Sequence, residues 1–229
     1  DVVEPSEEGK SLIESKHKDS TATIYTKIPK KEVDIAIVSV KPWMVKEVIT
    51  ELQSITVHVI ASIAAGITLS DLVAMHPTTP MVRIMPNTPC QVGCGMTAIV
   101  SDEERQLNPK HLKTISDLFT TMGRVVQWQD ERLLDVFTAL CGSGPGMMLT
   151  LLEAFADGAL LHGLPKPLAI EFAAQTMLGT AKMVLEQQGK HPGLLRDEVC
   201  TPGGCTIAGI VSLHQEGVPG AVMKAVSET

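Results

Sequence analysis

The chain has 229 residues, of which 44% are hydrophobic and 20% charged, a soluble globular composition with room for one large domain or two small ones. Its net charge of −7 argues against nucleic acid as the main partner, because phosphate binding needs a basic surface, and against an anionic membrane surface. Aromatic residues are only 3%, so the core is expected to be aliphatic, with small residues letting helices approach closely.

In chain order, Val2-Val3 is the end of an apolar run. Residues 34–40 (DIAIVSV) read as an apolar strand, followed by 57–62 (VHVIAS) and 81–85 (MVRIM), with later strands at 96–100 and 123–128. Between them, residues 43–52, 69–75 and 109–122 carry apolar side chains at helical spacing. Strand–helix alternation with apolar strands predicts a mostly parallel sheet covered on both faces, a doubly wound α/β domain over residues 1–130. After about Glu131 no strand pattern remains. Residues 133–140, 147–161, 167–188 and 207–215 read as helices, so residues 131–229 are expected to form an all-helical second domain. Pro165 and Pro167 sit where a helix start tolerates proline, and Gly189-Lys190-His191-Pro192-Gly193 is expected to end the 167–188 helix.

Ligands of open α/β sheets sit at the carboxyl ends of the strands, so the strand ends carry the functional reading. The first is Ser39-Val40-Lys41-Pro42: Lys41 either faces a cofactor phosphate or an acidic substrate, or is a solvated surface lysine. Pro42 suits the start of the next helix. The second is Ser62-Ile63-Ala64-Ala65-Gly66, whose small residues let a flat ring or sugar approach the backbone, or simply form a tight turn. The third is Met85-Pro86-Asn87-Thr88-Pro89. Asn87, held between prolines, either hydrogen-bonds a carboxamide or carboxylate or makes an Asx-type turn. Glu4 ends the first strand, where an acidic residue usually accepts hydrogen bonds from ribose hydroxyls and repels a 2′-phosphate. A dinucleotide sheet normally opens with a glycine-rich turn, yet no G-x-G-x-x-G/A occurs in residues 1–60. The first βαβ unit is therefore expected upstream of Asp1.

In the helical half, Cys141-Gly142-Ser143-Gly144-Pro145-Gly146 is expected to open the helix at Met147, with Ser143 as its cap. Thr201-Pro202-Gly203-Gly204-Cys205-Thr206-Ile207 precedes another helix, and its backbone N–H groups suit a carboxylate. Thr201 and Thr206 add hydroxyls, and Thr206 is placed to hydrogen-bond a substrate nitrogen. The five cysteines, Cys90, Cys94, Cys141, Cys200 and Cys205, are odd in number and lack CxxC, which points to reduced thiols in a cytosol-like compartment. No metal site is expected, since their spacings fit no zinc pattern. No apolar run reaches the ~18–20 residues of a membrane helix, and the start at Asp1 fits neither a signal nor a transit peptide. A cytoplasmic location is expected, an organellar address upstream of residue 1 being left open.

Taken together, VKP at 40–42, AAG at 64–66, M-P-N-T-P at 85–89, G-S-G-P at 142–145, A-D-G at 156–158, G-L-P at 163–165, H-P-G at 191–193 and P-G-G-x-T-I at 202–207 resemble the pyrroline-5-carboxylate reductase family, in its order and across nearly the whole chain. The resemblance implies a Rossmann domain for NADPH or NADH and a helical domain that dimerises by interlocking helices. It also implies reduction of pyrroline-5-carboxylate to proline. By that resemblance Gly203, Gly204, Cys205 and Thr206 bind the substrate, its carboxylate on the turn amides. Thr206 matches the threonine at the imine nitrogen, and Thr201 a hydroxyl residue of the same pocket. Ser39, Val40, Lys41, Pro42, Ala64, Ala65 and Asn87 match cofactor-facing positions; Thr26 lies near a position facing the adenosine. Glu4 stands where relatives often carry a small hydroxyl residue, which weighs against a strong NADPH preference. Two other readings stay open: a reductase of hydroxy or keto acids, for which Lys182 is the central lysine, and a non-catalytic dimeric binding protein.

Overall fold

The computed structural model describes residues 1–102, 104–187 and 189–229. They divide into two compact units, Asp1–Leu134 and Asp135–Thr229.

The first unit begins with β1 (Val2–Val3), α1 (Glu7–Lys16) and β2 (Ile24–Tyr25), a small βαβ turn in which β1 and β2 pair in parallel, Val2 opposite Ile24. α1 went unread in the sequence, although its signal is local: Ser6 Oγ accepts from Gly9 N–H, and Glu7 and Glu8 fill the first turn, where negative charge favours a helix. The main sheet follows chain order: β3 (Val33–Val38), β4 (Val57–Ser62), β5 (Met81–Met85), β6 (Gly95–Ser101) and β7 (Gly123–Trp128). All neighbours are parallel except β5 and β6, which run antiparallel with Met85 opposite Ala98. β3 stops at Val38 rather than Val40 because Val38 pairs with Ser62, the last residue of β4. Beyond it Ser39 and Val40 have no ladder partner in β4.

Helices α2 (Val45–Leu52), α3 (Leu69–Met75) and α4 (Pro109–Thr120) connect these strands. Alternate strand residues go to opposite faces. Ile60 and Met81 join Val45, Ile49 and Leu72 on one face, while Val59, Val82 and Ile84 join Ile115 and Phe119 on the other. Both faces are thus covered, and every residue of β5 is buried. β6 and β7 start beside each other, Gly95 opposite Gly123. Gly123 has φ +147°, and a Cβ there would lie 2.1 Å from the Gly95 carbonyl oxygen, so only glycine permits that approach.

The second unit contains α5 (Leu133–Phe137, which starts in the first unit), α6 (Gly144–Leu161), α7 (Lys166–Glu186), α8 (Pro192–Val199), α9 (Cys205–Gln215) and α10 (Val218–Ser227). Three expectations are corrected. Residues 141–146 do not form an opening loop: a π-helical turn, Thr138–Gly142, runs from α5 into α6. Ser143 has helical backbone angles and makes no side-chain cap, since its N–H already donates to the Thr138 carbonyl. α7 ends at Glu186, the expected end at Gln188 lying outside the described residues. His191 and Pro192 open α8, His191 Nδ1 accepting the Gly193 N–H at 3.0 Å. Finally, the helical stretch Leu133–Leu161 is, by length and composition, apolar enough to cross a membrane. Asp135, Glu153 and Asp157 interrupt it, so its sequence holds no unbroken apolar run of that length.

α6 and α7 pack on each other, and each has a buried alanine, Ala156 and Ala169. Much of their apolar surface is uncovered: Leu149 is 63% exposed, Leu161 86%, Phe172 54% and Leu178 58%. Burying a side chain of this kind stabilises by about 1.5–3 kcal/mol, so these helices carry a large unused driving force for association.

Candidate functional site

The residues singled out in the sequence fall into two groups, one in each unit. In the first unit the carboxyl ends of β3, β4 and β5 share one sheet edge, where β6 and β7 begin. Lys41 caps the short 3₁₀ turn Pro42–Met44 through its carbonyl, which accepts Met44 N–H at 2.9 Å. Its side chain is exposed and makes no ion pair among the described residues. Ser39 is exposed beside it and Val40 half-buried.

At the end of β4, the buried Ser62 accepts Ala64 N–H on its hydroxyl at 3.3 Å and Ile63 N–H donates to the Val38 carbonyl. These bonds turn the chain so that Ala64 is buried, while Ala65 and Gly66 face solvent. Gly66 has φ +76° and open space where a Cβ would stand. The arrangement gives a flat, side-chain-poor surface that a planar ring can approach. After β5, Asn87 Oδ1 accepts Met96 N–H at 2.8 Å, clamping the loop between β5 and β6. That loop turns back at Gly93, φ +70°, with Cys94 N–H donating to Pro89 carbonyl, a closing bond typical of left-handed helix ends.

Glu4, beyond β1, accepts the Ser6 amide at 3.0 Å and the Ser6 hydroxyl at 2.8 Å. Those bonds, the amide first, hold its carboxyl below the usual value, so it is ionised at neutral pH. It sits over α1, Gly9 leaving no room for a Cβ beside its carboxyl carbon. Thr26, just past β2, is exposed. The main-sheet edge therefore offers a cation, a bare turn and a clamped amide, and the separate β1–β2 sheet an anion, all residue types that fit a nicotinamide dinucleotide.

In the second unit, residues 201–204 form a type II turn. Pro202 supplies its second position, Gly203 its left-handed third at φ +70°, and Gly204 N–H closes it on the Thr201 carbonyl at 2.9 Å. The Gly204 N–H is therefore committed to the turn. α9 starts directly after it without any side-chain cap and without acidic residues in its first turn. The first-turn N–H groups of Cys205, Thr206 and Ile207 lack helical acceptors and suit an anion. A Cβ on Gly204 would meet Thr201 Oγ1 at 2.3 Å, so the glycine lets the Thr201 hydroxyl lie against the turn. Thr206 is half-buried on the first turn of α9. Lys182, by contrast, stands on α7 with its side chain 69% exposed, paired with Glu186 at 3.5 Å. No group of three or more His, Cys, Asp or Glu side chains able to hold a metal occurs among the described residues.

One residue that the sequence did not single out joins two of the strand-end segments, the one after β4 and that of β5. Glu131 Oε1 accepts Arg83 Nη1 at 2.6 Å and Leu69 N–H at 2.6 Å. Its partners lie 48 and 62 residues away, and no local pattern announces them.

The family model for the pyrroline-5-carboxylate reductase dimerisation region matches residues 131–229. A pyrroline-5-carboxylate reductase of Arabidopsis thaliana is 41% identical over 198 residues, 86% of this chain and 70% of the relative. One from Synechocystis sp. is 37% identical over 194 residues, 84% and 71% respectively. Among solved structures, the Plasmodium falciparum pyrroline carboxylate reductase with NADP bound superposes with TM-score 0.76 at 29% identity, covering 85% of this chain and 74% of that one. The Streptococcus pyogenes 1-pyrroline-5-carboxylate reductase gives TM-score 0.75 at 32% identity, covering 85% and 73%.

Proposed function

The chain belongs to the pyrroline-5-carboxylate reductase family, and from that premise we propose how its residues reduce 1-pyrroline-5-carboxylate to L-proline. The bound dihydronicotinamide supplies the hydride that reaches the imine carbon. The first unit binds it: Lys41 faces its phosphates, the turn at Ala64 and Ala65 lets the ring approach the backbone, and Asn87 holds the carboxamide side of the edge, with Ser39, Val40 and Pro42 shaping the exit of β3. Thr26 lies on the adenosine side with Glu4.

The second unit binds the substrate. Its carboxylate rests on the first-turn amides of α9 beside Gly203, Gly204 and Cys205, where the helix end favours negative charge. Thr206 holds the imine nitrogen, whose protonated form is the better electrophile, and Thr201 lines the same pocket. These groups supply orientation and proximity rather than covalent chemistry. The observation that carries this reading is the uncapped start of α9 behind a glycine turn, flanked by two hydroxyls.

Glu4 stays anionic and would repel a 2′-phosphate, so NADH is used at least as well as NADPH. The apolar faces of α6 and α7 support a homo-oligomer formed through the second unit. The test is steady-state oxidation of NADH and NADPH by the full-length protein with pyrroline-5-carboxylate. Turnover with NADH favoured is expected, and Glu4→Ser should shift the ratio of kcat/KM values toward NADPH. A folded protein that oxidises neither cofactor refutes the reading.

A further inference from the structure

We propose that Glu131 is a positioning residue for the cofactor edge of the sheet, an inference that rests on reading that edge as the nicotinamide site. A single carboxylate oxygen of Glu131 takes two donors, Arg83 Nη1 and Leu69 N–H, each at 2.6 Å. The Arg83 side chain is 4% exposed and that of Glu131 29%, so water screens the contact poorly.

Each donor leads to a different strand-end loop. Leu69 is the first residue of α3 and closes the segment that leaves β4 through Ala64, Ala65 and Gly66. Arg83 is at the centre of β5, whose end delivers Asn87. Gly66, with φ +76° and no neighbour within 4 Å of a Cβ position, leaves the tip of the first loop unpacked, whereas Ala64 is anchored in the core with Ile67 and Leu69 packed against that cluster. Beside that anchor, hydrogen bonds fix the loop's two ends, the Ser62 hydroxyl at the start and Glu131 at the finish. The same oxygen refers that finish to β5, so the bare turn and the clamped asparagine keep one spacing.

α3 does not depend on Glu131 to begin. Thr68 and Asp71 form a reciprocal capping box, Thr68 Oγ1 accepting Asp71 N–H at 3.1 Å and Asp71 Oδ2 accepting Thr68 N–H at 3.2 Å. Removing the Glu131 carboxylate therefore loosens the loop's placement while leaving the helix capped.

The experiment uses full-length wild type, Glu131→Gln and Glu131→Ala. NADH dissociation constants, KM for cofactor and for pyrroline-5-carboxylate, kcat and thermal midpoints are measured for each. The expected result in Glu131→Ala is a cofactor Kd and KM raised about 5- to 20-fold, a part of the about 10- to 150-fold that one charge-assisted hydrogen bond is worth, because Glu131 acts on the cofactor only through the loop. The imine KM and the kcat at saturating cofactor are expected to stay within about twofold of wild type, with Glu131→Gln intermediate. A folded Glu131→Ala protein with unchanged cofactor affinity overturns the proposal, as does a variant that loses only thermal stability. A wild type that binds neither cofactor overturns the assignment of the edge and this inference with it.

Discussion

Replacing Gly204 by alanine tests the substrate turn directly. The backbone at Gly204 (φ −75°, ψ 165°) is open to any residue, so the cost lies in the neighbour. The new Cβ would stand 2.3 Å from Thr201 Oγ1 and 3.0 Å from the Thr201 carbonyl oxygen. The hydroxyl is on an exposed residue and relieves the clash by rotating to another χ1 well, whereas the carbonyl must give by a few tenths of an ångström. Stability should fall by less than about 1.5 kcal/mol, the cost of a modest strain. If Thr201 holds a hydrogen bond in the pocket, its rotation costs about 0.5–1.5 kcal/mol of transition-state binding, or about 2- to 10-fold in kcat/KM. Gly203→Ala has the opposite profile, because φ +70° disfavours a Cβ by about 1–2 kcal/mol with no clash on Thr201. The assay pairs imine-dependent kcat/KM with thermal midpoints for both variants and for Thr201→Ala. Gly204→Ala should match Thr201→Ala in kcat/KM. A Gly204→Ala enzyme with wild-type kcat/KM would refute the placement of Thr201 in the pocket.

Thr206→Ala should lower kcat/KM by about 10–100-fold if its hydroxyl holds the imine nitrogen; unchanged kinetics would remove it from the site. Asp71 is held below the ordinary carboxylate range first by the Thr68 hydroxyl and then by the Thr68 amide. Its contribution to stability is therefore present above the unfolded value near ~4 and lost as pH falls through its lower native value. Asp71→Asn should flatten the acid limb of a urea-midpoint profile between about pH 5 and 2, and an unaltered slope would contradict the capping box. Phe172→Glu, on the uncovered face of α7, should shift the protein toward monomer in light scattering at a given concentration, since burying an unpaired charge in an interface is costly; an unchanged mass would place the interface elsewhere.

The strands were legible because five- to seven-residue runs rich in apolar and β-branched residues leave little alternative; β4, β5 and β7 have the bounds that their sequences predict, although β5 is buried throughout and β7 has no buried residue. The direction of β6 was not legible, since an apolar run reads the same either way round. α1 could have been found from Ser6, Glu7 and Glu8, but its body is polar and has no buried residue. The π turn at Thr138–Gly142 was hidden by Gly142-Ser143-Gly144-Pro145, residues that ordinarily mark a loop, although proline fits the first helical turn of α6. In the site, the turn chemistry of Pro202, Gly203 and Gly204 is written locally and was readable. The Asn87–Met96 bond closes one short loop, whereas those of Glu131 to Arg83 and Leu69 join residues 48 and 62 apart, which only the folded sheet brings together.

The reversal between β5 and β6 also bears on the order of folding. Among the described strands, β5 and β6 are joined by residues 86–94 alone, while each parallel neighbour is reached through a longer crossover carrying a helix. Short closures cost least chain entropy, and a hairpin forms in about 1–10 μs. The β5–β6 ribbon is thus the natural template, with β4 and β3 added to one side and β7 to the other. Substitutions within the ribbon should slow folding, and those in β3 or β7 should mainly hasten unfolding. The loop that presents Asn87 is then among the first parts of the enzyme to reach its final shape, before most of the sheet it serves.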